Sequence, residues 1–385
     1  MTYTQPKGLN KAEEIYDDRG LRVKALKNEG KKIMGYYCSY PPLEMITAMD
    51  FVPFRVQGSM HEPITKADAN IPTIVCPIIR SSLDLAQKGL YDFLDGFTAA
   101  HTCDCEEKFC RIWEHEIDLP FHHHIDMPHV IRPNSFSQFK DKLITFKQAL
   151  EKFTGRKLDE DRLRQEIEVH NRQRALVRSL YDLRKEDPPL ISGSETLKIM
   201  IALMCLPIEE GSQMLEDIIA EAKTREDGPE AKDARLMLWG SPLTEVNLIE
   251  MIESLDANIV MDDMCVGSRH YWADVPVTDD PLDGLVKRYL EDITCPRTFR
   301  ESADTFEEEL EQRFGYLKTF ARDWKVDGVL LQSVKYCDTH GYEVPGLKTY
   351  FEKMNLPAMY LEHEYSMVAE AQLKNRVQAF LELLT

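Results

Sequence analysis

No stretch of the 385-residue chain is long and apolar enough to span a bilayer. The most apolar segment, Ile199 to Pro207, falls far short of the ~20 residues a helical span needs. Basic residues are scarce: 47 Lys and Arg stand against 66 Asp and Glu, a formal net charge of -19. Nucleic-acid binding needs a basic footprint that such a chain lacks, and nothing attracts it to an anionic membrane. The N-terminus shows no basic start followed by an apolar middle, so a cytoplasmic protein is expected. Also missing are a phosphate loop, a Gly-x-Gly-x-x-Gly fingerprint and a Gly-x-Ser-x-Gly elbow. ATP or dinucleotide binding by this chain is therefore unsupported, as is a serine nucleophile on that elbow.

What the chain does have is nine cysteines. A reducing compartment argues against structural disulfides, and the odd number agrees. Six of them end apolar runs at loop-like positions. Cys38 follows Lys32-Ile-Met-Gly-Tyr-Tyr, Cys76 precedes Pro77, Cys103 follows Thr102, Cys265 follows Met264, Cys295 precedes Pro296, and Cys337 ends the run from Val326. In open α/β sheets ligands bind outside the carboxyl ends of the strands, so thiols repeated at such positions point to a metal site.

Alternation of apolar runs with helical spacing divides the chain into four parts. Residues 1–32 read as an N-terminal helical segment and 33–134 as a first α/β domain. Residues 135–232 read as a helical segment ending in a charged linker, and 233–385 as a second α/β domain. The expected fold is α/β, with two parallel sheets of duplicated architecture. Particular expectations are a helix from Lys108 to His115, a long helix from Glu307 to Lys325, and a helix capped by Ser192-Gly-Ser-Glu195.

Single cysteines are most often small buried hydrophobes, and Cys205 within Ile201-Ala-Leu-Met-Cys-Leu fits that description. Cys103, Cys105 and Cys110, with His101 and His115 nearby, invite a zinc reading, but the spacing is not that of a zinc ribbon. Cys105 and Cys110 cannot share one helix face with Cys103 and are expected to be spectators. Adjacent residues in a strand face opposite ways, so His122-His123-His124 cannot converge on one ion. Thiolates also hold iron–sulfur clusters, for which Ser39, Thr102, Gly267 and Ser268 are candidate neighbours of the sulfurs.

The segment Gly35-Tyr-Tyr-Cys-Ser-Tyr-Pro-Pro-Leu-Glu44 resembles the opening motif of the 2-hydroxyacyl-CoA dehydratase and benzoyl-CoA reductase family. Cys76-Pro-Ile-Ile-Arg-Ser-Ser, Thr102-Cys-Asp, Asp262-Asp-Met-Cys-Val-Gly-Ser-Arg, Thr294-Cys-Pro, Lys335-Tyr-Cys-Asp and Glu364-Tyr-Ser continue the series in family order, over nearly the whole chain. The resemblance implies two flavodoxin-like (Rossmann-like) domains, an oxygen-sensitive iron–sulfur cluster between them, and electrons from a separate ATP-hydrolysing iron–sulfur activator. Cys76, Cys103 and Cys337, with Cys38 in addition, match the pattern for a single [4Fe-4S] cluster. With Cys265 and Cys295 the set is similar to the double-cubane [8Fe-9S] branch of the family. Assigned by domain, one cubane takes Cys38, Cys76 and Cys103, and the other Cys265, Cys295 and Cys337.

The implied function is a low-potential reductase component acting on small unsaturated molecules, as a homodimer working anaerobically. The alternatives are a 2-hydroxyacyl-CoA dehydratase or benzoyl-CoA reductase subunit acting on a coenzyme A thioester, or a non-catalytic electron-transfer protein. His101, His270 and Lys335 are the candidate catalytic residues, with Asp104 and Tyr336 as further proton donors.

Overall fold

The computed structural model of the protein describes residues 7–300, 304–366 and 369–384. The first strands are β1 (Lys32–Tyr37), β2 (Phe51–Arg55), β3 (Gly96–Ala100) and β4 (His122–Ile125). They form a wholly parallel sheet in the order β2-β1-β3-β4. Pro53 has no N–H to donate, and its strand β2 lies at the sheet edge, where that costs least. Further along are β5 (Val130–Ile131), β6 (Ala234–Gly240), β7 (Ala257–Asp263), β8 (Phe299–Arg300), β9 (Gly328–Val334) and β10 (Ala358–His363). Strands β6, β7, β9 and β10 make the second parallel sheet, ordered β10-β9-β6-β7. Read from the opposite edge, this is the strand order of the first sheet. The α/β class with two parallel sheets is as the sequence led one to expect.

Strands β6, β7 and β9 are buried at every residue, as runs such as Leu236-Met-Leu-Trp239 and Val329-Leu-Leu331 require when helices cover both faces. Between the sheets in sequence lie four helices, Pro133–Thr154, Glu160–Asp182, Gly193–Leu203 and Ile208–Ala222. Ser192 and Glu195 form a capping box at the third, as their spacing suggests. Two expected helices differ. The helix expected from Lys108 starts at Asp104, one turn earlier, because Cys103 is its N-cap. The helix expected over Glu307–Lys325 is two, Phe306–Phe314 and Tyr316–Asp323, with the break at Gly315.

The two halves are stitched together. Strand β5 pairs with β8, and the Phe299 N–H donates to the His129 carbonyl at 2.7 Å. Glu44, fully buried, pairs with Arg174 of the helix Glu160–Asp182 and accepts from Tyr289 Oη at 2.9 Å. Among the described residues no helix is long and apolar enough to cross a membrane.

Candidate metal centre

Each sheet presents strand ends to the other half, and the cysteines sit there. Cys38 follows β1 in a left-handed conformation, φ 66°. Cys76, Cys103 and Cys337 each occupy the N-cap of a helix, Pro77–Gln87, Asp104–Glu116 and Asp338–Gly341. Cys265 follows β7, and Cys295 lies in the loop before β8. All six line one cavity of about 90 Å³, together with Arg55, Gln57, Thr102, Glu106, Arg297 and His340. This is the crevice outside the carboxyl ends of the strands where ligands of α/β sheets bind.

Within the cavity the sulfurs fall into two trios, and each trio draws on both halves of the chain. Cys265 lies against the thiols of both Cys38 and Cys295. Cys76 lies against Cys337, with Cys103 close by. This placement differs from the grouping by domain, which put Cys38, Cys76 and Cys103 in one set. Sheet ends that face each other bring together thiols far apart in sequence. The second trio is the set that the family resemblance gives to a single four-iron cluster.

One thiol in each trio is favoured as thiolate. Cys265 is held well below the usual thiol range by the neighbouring Cys295 and Cys38 thiols and by the Arg269 guanidinium, whose Nη1 donates to its Sγ at 3.3 Å. Cys76 is lowered by Cys337 and by the N–H groups of Ile79 and Ile78 at the start of its helix. Cys38, Cys295 and Cys337 are pushed up by their sulfur neighbours and by burial. Cys105, expected to be a spectator, lies beside Cys103 and is lowered to about 6, chiefly by that thiol, yet it does not line the cavity.

The surroundings hold the sulfurs by backbone and side chain. Ser39 Oγ and Arg55 Nη1 donate to the Cys265 carbonyl at 3.1 and 2.8 Å. Arg269 pairs with Asp263 at 2.8 Å and donates from Nη1 to His340 Nε2 at 2.9 Å. A guanidinium only donates, so His340 carries its proton on Nδ1 and aims it at Cys337 Sγ, 3.3 Å away. Burial lowers the His340 pKa, which keeps the ring neutral. A Cβ at Gly267 would come within 1.9 Å of Asp262 Oδ1, which fixes glycine at that place in the Cys265 loop. Ser39 and Ser268, candidate neighbours of the sulfurs, instead donate to the carbonyls of Cys265 and Asp262.

The structure does not bring the three candidate catalytic residues to this cavity. His270 is buried behind it, stacked on Tyr36, and burial holds its pKa well below the usual range. Lys335 is on the surface, paired with Glu364 at 3.0 Å. His101 packs against His129 and lies 3.8 Å from Asp126. Of the other proton-donor candidates, Asp104 opens a helix beside Cys103 and Tyr336 is exposed. The polar groups that do line the cavity, His340, Arg55, Gln57 and Glu106, were missed by sequence reasoning. Only His340, three residues after Cys337, carried a visible signal.

A second cavity of about 720 Å³ adjoins the first, and Arg55 and Gln57 line both. The Gln57 side-chain amide is buried with neither polar atom bonded within the protein. Arg19, Lys24 and Lys88 also line the second cavity, but each is already paired, with Glu245, Asp18 and Asp84.

The family model for the 2-hydroxyglutaryl-CoA dehydratase D-component matches residues 38–384. The (R)-phenyllactyl-CoA dehydratase beta subunit of Clostridium sporogenes is 25% identical over 367 residues, 94% of each chain. A benzoyl-CoA reductase subunit of Thauera aromatica is 26% identical over 365 residues, 93% of this chain and 92% of its own. The (R)-2-hydroxyglutaryl-CoA dehydratase beta subunit of Acidaminococcus fermentans is 22% identical over 366 residues, 93% of this chain and 94% of its own.

Proposed function

Since the chain belongs to the 2-hydroxyglutaryl-CoA dehydratase D-component family, whose similar members are named as dehydratase and reductase subunits, we propose that it is the iron–sulfur reductase component of such a system. The observation that carries this is the convergence of six thiols on one buried cavity. The donor set fits an iron–sulfur group: six soft sulfur ligands, in two trios, with one thiolate-prone sulfur in each. Cys38, Cys265 and Cys295 would hold one cubane, and Cys76, Cys103 and Cys337 the other. When bound, a double-cubane group supplies stored electrons at low potential.

The chain's own residues do the rest. Arg269 and His340 place donors on the sulfurs and so favour the reduced, more negative state. The arginines also balance the thiolate charge of the site. Gln57 stands where the two cavities meet and is free to orient a small polar or unsaturated substrate arriving from the larger one. Residues 33–134 and 233–385 act as the two domains that close on the cluster, with 1–32 and 135–232 as helical supports. With no phosphate loop in the sequence, electrons come from a separate ATP-hydrolysing activator.

A coenzyme A thioester is the second reading, favoured by the names of the relatives. Against it, Arg19, Lys24 and Lys88 of the larger cavity are already paired with carboxylates, which leaves Arg55 as the arginine or lysine there without one among the described residues. Anaerobically purified protein should hold about eight irons per chain with matching sulfide, and reduce a small probe such as acetylene only with an ATPase partner. About four irons would restore a single cluster. Micromolar acyl-CoA binding with turnover would establish the second reading.

A further inference from the structure

The helix Asp104–Glu116 carries, one turn beyond Cys103, a carboxylate that borders the six-thiol cavity and also reaches a second group of ligating side chains. Glu106 is 1% exposed. It accepts the Thr102 N–H at 3.1 Å and the Cys110 S–H at 2.8 Å, and His124 Nε2 lies 3.7 Å away. Among the described contacts no lysine or arginine pairs with it. A buried carboxylate without a cation is costly, so the site calls for positive charge. His124 is nine-tenths buried, and its Nε2 has no hydrogen-bond partner.

The three groups are placed by regular structure. Glu106 and Cys110 are four residues apart on one helix face, and His124 projects from the neighbouring strand β4. Their ligand atoms all lie within 4.8 Å of one another. Cys110 and His124 face a cavity of about 250 Å³, lined also by Phe97, Arg111, Glu114 and His122, which is separate from the six-thiol cavity.

We propose that Glu106, Cys110 and His124 bind one Zn²⁺ ion. A thiolate, a carboxylate and a neutral imidazole suit this borderline-soft cation, and the two anions cancel its charge in a buried setting. Binding displaces the Cys110 thiol proton to solvent as the Zn–S bond forms. Bonds of about 2.0–2.3 Å set ligand atoms on the order of 3.5 Å apart, so Cys110 and Glu106 separate slightly and His124 barely moves. Three protein ligands leave a fourth position open toward the 250 Å³ cavity, enough for water or a small anion. The ion clamps the helix that begins at Cys103 to strand β4.

The test uses anaerobic, cluster-loaded protein equilibrated with zinc sulfate and then passed over a chelating resin. Elemental analysis should find about one zinc per chain, and zinc-edge X-ray absorption one sulfur neighbour with the remainder nitrogen and oxygen. Cys110→Ser and His124→Gln should each weaken zinc binding by roughly tenfold or more while iron and sulfide stay unchanged, as they should in the control Cys205→Ser. That separation keeps this proposal independent of the six-thiol reading. If Cys110→Ser loses iron as well as zinc, Cys110→Asp decides: zinc retained without a sulfur neighbour supports the site, and zinc lost overturns it. Absence of retained zinc, or zinc ringed by several sulfurs in both wild type and Cys110→Ser, also overturns it.

Discussion

Replacing Arg174 by methionine should destabilise the protein by about 3–5 kcal/mol at neutral pH. Glu44 is fully buried and Arg174 almost so. Removal of the guanidinium leaves a buried carboxylate supported by the Tyr289 hydroxyl at 2.9 Å and by the more distant Arg288 and His170. The loss should be smaller in the double variant Glu44→Leu/Arg174→Met, because no charge is then stranded. The pH dependence has a definite sign. In the native protein Arg174 leads the groups that overcome burial and hold the Glu44 carboxyl well below the usual range. That stability is fully present above the ordinary carboxylate pKa and is lost as pH falls toward the depressed one. In Arg174→Met burial is opposed only by the weaker influence of Arg288 and His170, so the carboxyl pKa rises relative to wild type and the gap should narrow as pH is lowered from neutrality and Glu44 takes up a proton. Anaerobic urea denaturation at several pH values, followed by circular dichroism, measures this. Equal losses in the single and double variants, or a gap that widens toward acid, would refute the reasoning.

His340→Phe removes the Nδ1 proton aimed at Cys337 and should make the cluster potential more negative without loss of iron; a redox titration followed by electron paramagnetic resonance checks this, and an unchanged potential contradicts it. Gln57→Leu should raise KM for a small substrate roughly tenfold, the effect of losing one hydrogen bond of about 1.4 kcal/mol, with iron content and kcat little changed. A fall in kcat alone would move Gln57 from substrate binding to some other role.

Strand and helix periodicity carried most of the architecture, since buried parallel strands carry apolar runs such as Leu236-Met-Leu-Trp239. Helix ends were less legible. A cysteine is not a usual cap residue, so nothing in the letters placed the helix start at Cys103. Gly315 gave the only sign that the stretch from Glu307 to Lys325 is broken. The six cysteines that share the cavity stood out by position, but their grouping did not. Which thiols meet is fixed by how two sheets face each other, a relation that local sequence does not encode. The same reason hid Arg55 and Gln57, at and just beyond the end of an ordinary edge strand, and drew attention to His270 and Lys335, which lie next to motif residues yet do not line the cavity.

The crossing of the two trios bears on the order of events during synthesis. Cys38 needs Cys265 and Cys295, while Cys76 and Cys103 need Cys337. As the chain leaves the ribosome, the first half carries three of these thiols with neither trio complete; the first trio waits for Cys265 and Cys295, and the second for Cys337 after strand β9. A cluster held as proposed could therefore be completed only after the second half has been made, and the nascent first half would present its thiols without their partners.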